Sequence, residues 1–377
     1  MRVLVAFDKF KDALSATAAC TAVAEVLHER HPAWEIDFCP LTDGGEGFGE
    51  TLTAAARGRW ETVLVTGPMG RPVQAGLGFV PGEHLPPIVC DQLALYATGP
   101  LAVLEMAAAS GLMLVLPAQR DPWLASSAGT GELLGHAARR GAGTILLGVG
   151  GSATNDLGLG ALAALGFGFF RSTGEQVLHP VPREWAYITR IEPPARRLPP
   201  IFIACDVTNP LLGPTGATYT FGPQKGLAPA DTPRLEAQAA RMAALLSEAC
   251  GQPLAWGERP GAGAAGGIAF GLMVACGARL VPGFDLVSAW LDLPERLAAA
   301  DLVLTGEGRF DATSLGGKGP GRLVTEAQAL GKRVEVFAGQ IDLPPSDHLH
   351  AITPPGFPLA AALPRTAEFL AAAAARL

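Results

Sequence analysis

The apolar and polar positions of this chain fall into short apolar runs and amphipathic segments, which predict strands and helices in turn. Residues 3–7 and 35–41 are apolar runs typical of strands. Ser15 is placed to cap a helix between them, and a second helix is predicted over residues 49–57. The rhythm returns after residue 285, with strands at 301–305, 333–338 and 350–353 and a helix at 321–330. Both chain ends are therefore expected to share one parallel sheet of about five strands.

The middle of the chain breaks this rhythm and predicts an inserted domain of mixed α/β structure. Residues 61–66 and 73–80 flank the turn sequence GPMGRP, which favours an antiparallel hairpin. Strands are predicted at 103–106, 144–147, 201–205 and 217–221, and a helix at 127–140. Another helix is predicted with Thr232 as N-cap, Pro233 in its first turn and Gly251 after its end. Residues 81–100 are rich in proline and glycine and are expected to form an excursion from the domain, whereas residues 171–200 are rich in proline and are expected to be irregular.

Composition narrows the class of protein. A length of 377 residues favours two domains, and 49% hydrophobic residues indicate a well-buried globular chain. The net charge of −7 argues against a nucleic-acid partner. Six scattered cysteines form no zinc or disulfide pattern. Because the strand pattern begins at residue 3 and the most apolar window, 101–116, is too short to span a bilayer, we expect no signal peptide, no membrane partner and a cytoplasmic location.

The sequence TILLGVGGSATNDLG, residues 144–158, is the most informative stretch. A buried strand is followed by glycines, which allow a sharp turn and a close approach of a ligand to backbone N–H groups. Hydroxyl, amide and carboxylate side chains follow at once. In open α/β sheets this end of a strand is where ligands bind, although a strand-to-helix turn with a polar cap has the same residues.

Seven such polar clusters follow predicted strands or lie near them: DKFKD, TDGGEG, GVGGSATND, DVTNP, GPQKG, GEGRFD and GGKGP. Together they supply carboxylates, cations and glycine turns but few histidines or cysteines. Phosphoryl transfer needs this set, because carboxylates hold a divalent metal, cations and backbone amides bind phosphates, and one base accepts a hydroxyl proton. The P-loop, zinc-protease and hydrolase-elbow motifs are absent from the sequence.

Single residues in these clusters also have structural interpretations. Asp43 has the position of a helix cap, Asp8 that of a turn-holding residue, and Lys318 that of a solvated loop lysine. Glu105 lies among apolar residues, so it needs a buried partner. Glu132 is expected at an exposed helix start.

The motifs resemble those of the type 1 glycerate kinases. AFDKFKDALSA, PLTDGGEG, EMAAASGL, GTGEL, GVGGSATND, ACDVTNPLLGPTGA, FGPQKG, PGAGAAGG and TGEGRFD with GGKGP occur in that family's order, from about residue 3 to residue 340. The resemblance implies a discontinuous flavodoxin-like doubly wound domain, residues 1–65 and 285–377, with an inserted mixed α/β domain, residues 66–284, and an active-site cleft between them. It implies phosphorylation of glycerate by ATP with Mg²⁺, giving 2-phosphoglycerate.

The chain departs from the family at a few positions. Lys9 replaces a common Ser, Asp12 a frequent Gly, Leu157 a frequent Gly and Phe310 a frequent Ile. Residues 81–100 are longer than usual. These changes are candidates for tuning the preference for substrate or nucleotide.

The candidate site residues are grouped by expected role. The catalytic candidates are Asp206, Asp311, Lys11 and Arg309, with Asp206 as the base, Asp311 in reserve, and Arg309 or Lys11 facing the glycerate carboxylate. The substrate-binding candidates are Asp8, Asp43, Ser152, Asn155, Asp156, Thr208 and Asn209. The candidates for binding ATP are Gly150, Gly151, Thr154, Lys225, Gly317 and Lys318. The candidate Mg²⁺ ligands are Asp43 and Glu307.

Two alternatives stay open at this point. One is a kinase that acts on a related small hydroxy acid or sugar acid. The other is a regulatory protein that binds a nucleotide or an acid without turnover. The sequence leaves open which hydroxyl is phosphorylated and the oligomeric state.

Overall fold

A computed structural model of the chain describes residues 1–95, 99–195, 198–315 and 319–377. The chain divides into two units, of which unit 1 comprises residues 1–43 and 284–377 and unit 2 comprises residues 44–283. Unit 1 is thus built from both ends of the sequence. Across the described ranges, no helix combines the length and the apolar character needed to cross a bilayer.

The described strands are, in chain order, β1 (Arg2–Phe7), β2 (Glu35–Phe38), β3 (Arg59–Thr66), β4 (Pro72–Val80), β5 (Leu101–Glu105), β6 (Thr144–Gly148), β7 (Gly168–Arg171), β8 (Ile188–Glu192), β9 (Ile201–Ala204), β10 (Arg279–Val281), β11 (Leu302–Phe310), β12 (Arg333–Ile341) and β13 (Leu349–Ala351). The described α-helices are α1 (Ala16–Arg30), α2 (Phe48–Ala55), α3 (Pro87–Gln92), α4 (Met106–Ser110), α5 (Ala128–Arg139), α6 (Leu159–Ala164), α7 (Ala217–Phe221), α8 (Thr232–Cys250), α9 (Ala264–Cys276), α10 (Gly283–Trp290), α11 (Leu293–Ala299), α12 (Ala312–Leu315), α13 (Gly319–Ala329), α14 (Leu359–Ala362) and α15 (Thr366–Ala374).

Unit 1 contains a parallel sheet with the strand order β13-β12-β11-β1-β2. The strand β1 lies inside this sheet, and its residues 3–7 are fully buried, as expected for a strand covered on both faces. Val23 and Leu27 of α1 and Leu370 of α15 belong to the apolar core of this unit. The helix α1 begins where predicted, because the Ser15 hydroxyl accepts a hydrogen bond from the Ala18 N–H at 3.2 Å. The prediction of about five parallel strands is confirmed.

Unit 2 contains a mixed sheet with the strand order β10-β9-β6-β5-β4-β3. The strands β10, β9, β6 and β5 are parallel, and β4 and β3 continue the sheet as the antiparallel hairpin that GPMGRP predicts. In the register of this sheet Glu105 pairs with Gly148, and Gly148 with Ala204. The segments that follow β5, β6 and β9 therefore leave the sheet at one edge. These segments are EMAAASGL, GVGGSATND and CDVTNP.

Residues 217–221, predicted as a strand, form the helix α7. Thr, Tyr and Phe favour strands, but here the Thr220 N–H donates to the Gly216 carbonyl oxygen at 3.0 Å and begins a helix. The GPQKG cluster consequently follows a helix. The prediction of Thr232 as an N-cap is also wrong, since Thr232 is the first residue of α8 and the cap position is Asp231.

The expectation that residues 171–200 are irregular is wrong in part. The strand β8 lies within them and pairs with β7 in a small antiparallel sheet. Ile188 and Ile191 are buried, and Trp185 before them is fully buried. Burial of these apolar side chains outweighs the flanking prolines.

Candidate functional site

The turn after β6 packs against the backbone of the TDGGEG segment. The Gly150 N–H donates to the Gly44 carbonyl oxygen at 3.0 Å, and a Cβ atom on Gly150 would lie 2.7 Å from the Cα atom of Gly45. Gly151 has φ +70°, and a Cβ atom there would lie 2.3 Å from Oε1 of Glu46. These close approaches explain why the turn needs glycine at both positions.

The other side of the same turn is bonded to the EMAAASGL segment. The Leu112 N–H donates to the Gly151 carbonyl oxygen at 2.7 Å, and the Ala153 N–H donates to that of Ser110 at 2.9 Å. The turn is therefore fixed from two directions by backbone hydrogen bonds. Such a turn can present side chains in one defined arrangement.

Lys225, predicted to bind ATP, is buried beneath this turn. It is 1% exposed, and Nζ donates to Oγ of Ser152 at 2.8 Å, to the Thr154 carbonyl oxygen at 2.6 Å and to Oδ1 of Asn155 at 3.2 Å. Burial lowers the pKa of the Lys225 ammonium to about 7, and the charge of Asp156 opposes this shift. An ammonium has three donors, so this arrangement leaves none of them for a phosphate. Lys225 therefore contacts the turn in this structure, and its binding of ATP stays a prediction.

Asp156, predicted to bind substrate, is also buried and engaged within the protein. Its Oδ2 accepts from the N–H and the hydroxyl of Ser127, both at 2.8 Å, and from the Gly160 N–H at 3.2 Å, while Oδ1 accepts from the Gly158 N–H at 3.2 Å. Burial raises the pKa of the Asp156 carboxyl, and these hydrogen bonds oppose the shift. The carboxylate therefore ties the starts of α5 and α6 together. These contacts support a structural role, and substrate binding by Asp156 stays a prediction.

Thr154 and Asn155 complete the turn. Both side chains are buried, at 0% and 4% exposure. Among the described residues, Oγ1 of Thr154 and Nδ2 of Asn155 have no hydrogen-bond partner. They differ in this from Ser152, whose hydroxyl accepts from Lys225.

The DVTNP segment after β9 holds the predicted base. Asp206 is exposed, and its carboxylate lies against Gly283, where a Cβ atom would be 2.8 Å from Oδ2. Thr208 is exposed as well. Nδ2 of Asn209, however, donates to the Thr215 carbonyl oxygen at 2.7 Å and to Oγ1 of Thr220 at 3.3 Å. The Asn209 side chain therefore holds its own loop to α7.

Asp8, Asp43 and Glu307 form the acidic set of unit 1. Asp8 follows β1 and is 7% exposed, and its Oδ1 accepts from the Lys9 N–H at 2.7 Å. Burial and then the charge of Asp43 raise the pKa of Asp8 to about 7, with a further contribution from Glu307, while Lys9 opposes the shift. Nζ of Lys9 donates to Oδ1 of Asp43 at 2.9 Å. Within the described ranges, no group of three or more His, Cys, Asp or Glu side chains is arranged so that it could hold a metal ion.

Arg309, in the GEGRFD cluster of unit 1, is paired with an acid that sequence analysis missed. Its Nε and Nη2 lie 2.7 and 2.5 Å from Oδ2 of Asp342. Asp311 lies farther away, with Oδ2 3.5 Å from Nε, and its Oδ1 accepts from the Ser314 N–H at 3.3 Å to cap α12. Hydrogen bonds from Gln340 and Arg309 lower the pKa of Asp342. Arg309 remains 63% exposed, so its guanidinium still faces solvent.

Three predicted site residues of this unit remain: Lys11, Gly317 and Lys318. Lys11 is exposed after β1. Gly317 and Lys318, both predicted to bind ATP, lie outside the described residues.

Two acids singled out in the sequence have structural partners. Glu105 accepts from the N–H groups of Gly47 and Gly49, at 3.3 and 2.9 Å, and so caps α2. The N-cap position of that helix is Gly47, not Asp43. Glu132 is not an exposed helix start, because its carboxylate accepts from the N–H and the hydroxyl of Thr66 at 2.8 and 2.7 Å.

A cavity of about 730 Å³ in unit 2 lies apart from these groups. Its lining includes Phe167, Phe202 and Val274 with the thiols of Cys250 and Cys276, and none of the predicted site residues contributes to it. We place the candidate site at the polar turns, because the chemistry of phosphoryl transfer requires their residue types.

Comparisons with known proteins agree with these motifs. The model of the glycerate kinase family matches residues 3–377. A glycerate kinase of Bacillus subtilis strain 168 is 35% identical over 381 residues, which cover 98% of this chain and 95% of the relative. A glycerate 2-kinase of Escherichia coli K12 is 37% identical over 350 residues, which cover 90% and 86%.

A solved structure is also similar. A crystal structure from Salmonella typhimurium LT2 that carries the name glycerate kinase 2 superposes with a TM-score of 0.76 at 36% identity, over 100% of this chain and 96% of that one. The match confirms a mixed α/β fold with parallel and mixed sheets. The chain therefore belongs to the glycerate kinase family, and it is an enzyme of the kinase class.

Proposed function

We propose that this protein phosphorylates glycerate with ATP and Mg²⁺ and releases ADP and 2-phosphoglycerate. The observation that carries the proposal is the conjunction of the family motifs with the acidic set of unit 1. A relative that covers 90% of this chain is named a glycerate 2-kinase, which favours the 2-position as the acceptor. Two arrangements accompany the proposal. We propose units 1 and 2 as the two domains, which moves residues 44–65 from the flavodoxin-like domain into the inserted one. The parallel order β2-β1-β11-β12-β13 supports a flavodoxin-like arrangement of unit 1.

The donor set of unit 1 suits a hard divalent cation. Asp8 follows β1, Asp43 lies in the segment after β2 and Glu307 lies within β11. The charges of Asp43 and Glu307 add to the effect of burial in raising the pKa of Asp8. A cation there would relieve the repulsion, and Mg²⁺ prefers carboxylate oxygens together with water. We propose Asp43 and Glu307 as its ligands. When bound, Mg²⁺ neutralises the charge on the transferring phosphoryl group.

The other charged groups take the remaining roles. Asp206 is our candidate base, since it is a solvent-exposed carboxylate beside Gly283 in the polar segment after β9, and a general base must be within reach of the substrate hydroxyl. The hydroxyl oxygen attacks the γ-phosphorus of ATP, its proton passes to the Asp206 carboxylate, and ADP leaves. Arg309, already oriented by Asp342, is the candidate for the glycerate carboxylate, with Lys11 as the alternative.

Location is a separate proposal. All six cysteines are unpaired in the structure, which is typical of a reducing compartment. We propose that the protein is cytoplasmic.

The deciding experiment is product analysis by ³¹P NMR with purified protein, ATP and glycerate. We expect 2-phosphoglycerate, with turnover lost on chelation of Mg²⁺ and restored by its return. Formation of 3-phosphoglycerate would contradict phosphorylation at the 2-hydroxyl. A higher kcat/KM for tartronate or longer aldonates than for glycerate would contradict glycerate as the substrate. Ligand binding without release of ADP would overturn the activity itself.

The base is tested separately. Asp206→Asn should lower kcat by about 100-fold or more, as loss of a general base does. The matched control is Asp91→Asn, since Asp91 is another exposed acid of unit 2. Near-normal turnover of Asp206→Asn would move the role to Asp311.

A further inference from the structure

Two polar atoms of the turn after β6 are buried without a hydrogen-bond partner among the described residues: Oγ1 of Thr154 and Nδ2 of Asn155. A buried donor left unsatisfied costs about 1–3 kcal/mol, so proteins seldom keep one unless a ligand or water uses it. Here two such atoms belong to adjacent residues. On either side of this pair, Oγ of Ser152 accepts a hydrogen bond from Lys225 and both carboxylate oxygens of Asp156 accept hydrogen bonds, so the unpartnered atoms belong to the two central residues of the turn.

Lys225 determines which end of the Asn155 amide is unused. An ammonium only donates hydrogen bonds, so the amide atom 3.2 Å from Nζ must be the carbonyl oxygen Oδ1. Gly266 lies beside the same oxygen, because a Cβ atom on Gly266 would be 2.8 Å from it and 2.0 Å from the Thr154 carbonyl oxygen. The NH₂ group is therefore the end of the amide that is buried without a hydrogen-bond partner among the described residues.

We propose that Nδ2 of Asn155 and Oγ1 of Thr154 form a donor pair that binds an anionic oxygen of a substrate, and that Lys225 is the positioning residue that orients this pair. The inference rests on the proposed kinase function and adds a specific recognition site to it. Both the carboxylate of glycerate and the phosphates of ATP offer such an oxygen. Two neutral donors suit either, because each hydrogen bond to a charged acceptor is strengthened by the charge.

The test uses variants that change one donor at a time. Thr154→Val removes the hydroxyl at nearly constant volume, and Thr154→Ser keeps it. Asn155→Asp keeps an oxygen for Lys225 but replaces the NH₂ donor with an acceptor. Lys225→Met removes the ammonium and keeps most of the stem. The measurements are KM and kcat for glycerate and for ATP, with thermal unfolding to verify that each variant folds.

We expect Thr154→Val and Asn155→Asp to raise KM for one substrate by about 10- to 100-fold, the effect of losing a hydrogen bond to a charged group. Thr154→Ser should recover most of the loss. The substrate whose KM rises identifies the anionic oxygen as that of the carboxylate or that of a phosphate. Lys225→Met should raise the same KM, and adding it to Asn155→Asp should have little further effect, because both changes act on one amide group.

The matched control is Lys332→Met. Lys332 also donates from Nζ to a carbonyl oxygen, that of Ala298 at 2.6 Å, but it belongs to unit 1 and is exposed. If Thr154→Val and Asn155→Asp fold and both KM values stay within about threefold of wild type, the pair holds an internal water and the inference is wrong. Absence of glycerate-dependent ADP release in the wild-type protein would instead overturn the proposed function.

Discussion

Nζ of Lys9 donates a hydrogen bond to Oδ1 of Asp43 at 2.9 Å, so a cation already sits within the acidic set of unit 1. Lys9 also lowers the pKa of Asp8, against the effects of burial and of Asp43. The resemblance to the type 1 glycerate kinases leads us to expect Ser at this position. This chain therefore carries one more positive charge beside its proposed metal ligands than the family pattern has.

We expect Lys9→Ser to strengthen the response to Mg²⁺. Removing the ammonium leaves the carboxylates with less compensation, so a divalent cation gains about 1 kcal/mol, or roughly fivefold in affinity. The measurement is the Mg²⁺ concentration that gives half-maximal activity, at fixed ionic strength. Lys332→Ser serves as the control for loss of a lysine in the same unit. A higher Mg²⁺ requirement in Lys9→Ser would show that Lys9 supports the site by holding Asp43 in place.

Asp8→Asn should change the pH dependence of stability. In the folded protein the pKa of Asp8 is raised from 3.8 to about 7, so the folded state binds the proton more tightly than the unfolded state. The resulting stability is present below about pH 4 and is lost as the pH rises towards 7. Relative to wild type, we expect the variant to gain on the order of 2–4 kcal/mol in the free energy of unfolding between about pH 4 and pH 8.

Urea unfolding at both pH values measures this gain. Asp12→Asn is the control, because Asp12 is an exposed aspartate at φ +63°, a backbone conformation that Asn adopts readily. If Asp8→Asn follows the wild-type curve at both pH values, the folded protein does not hold the Asp8 proton.

Gly150→Ala should destabilise unit 2. The added Cβ atom would lie 2.7 Å from the Cα atom of Gly45 and 2.8 Å from its nitrogen, and backbone atoms cannot rotate away as a side chain can. We expect a loss of about 1–3 kcal/mol in the free energy of unfolding. Gly82→Ala is the matched control, since a Cβ atom there would meet nothing within 4 Å. Equal stability of the two variants would contradict the close packing of these turns.

Asp156→Asn separates a structural role from a substrate-binding one. The carboxylate accepts hydrogen bonds on both oxygens, and an amide NH₂ cannot accept the one from Gly158 or those from Ser127. We expect unfolding to become easier by about 1–3 kcal/mol, while the folded enzyme keeps both KM values. Ser127→Ala should behave in the same way. An unchanged melting temperature with a raised KM for glycerate would restore the substrate-binding role.

The hydrophobic pattern of the sequence predicted the parallel sheet of unit 1. The residues 3–7 are apolar without interruption because β1 is covered on both faces, and the run is visible in the sequence. The prediction of a strand over residues 217–221 is wrong, because a five-residue segment is too short for its hydrophobic pattern to distinguish a strand from a helix. The contacts of this segment with α9 are distant in sequence.

For the candidate site, the sequence identified residues but did not determine the role of each one. Sequence analysis singled out Lys225 because it lies in a glycine-rich motif, but its partners are 70 to 73 positions away. The partner of Arg309 is Asp342, 33 positions later and outside every motif. Residue types in the sequence indicate which reaction the site can catalyse. Whether a given side chain binds a ligand or stabilises the fold depends on neighbours that are distant in sequence.

The discontinuity of unit 1 has a consequence for synthesis on the ribosome. The strand β1 pairs with β2 on one side but with β11 on the other, so one of its edges has no partner until residues 302–310 have been made. All of unit 2 is translated in that interval, which lasts roughly ten to fifty seconds at ordinary rates of translation. We expect unit 2 to fold first, while the nascent β1 is the segment most in need of protection by a chaperone.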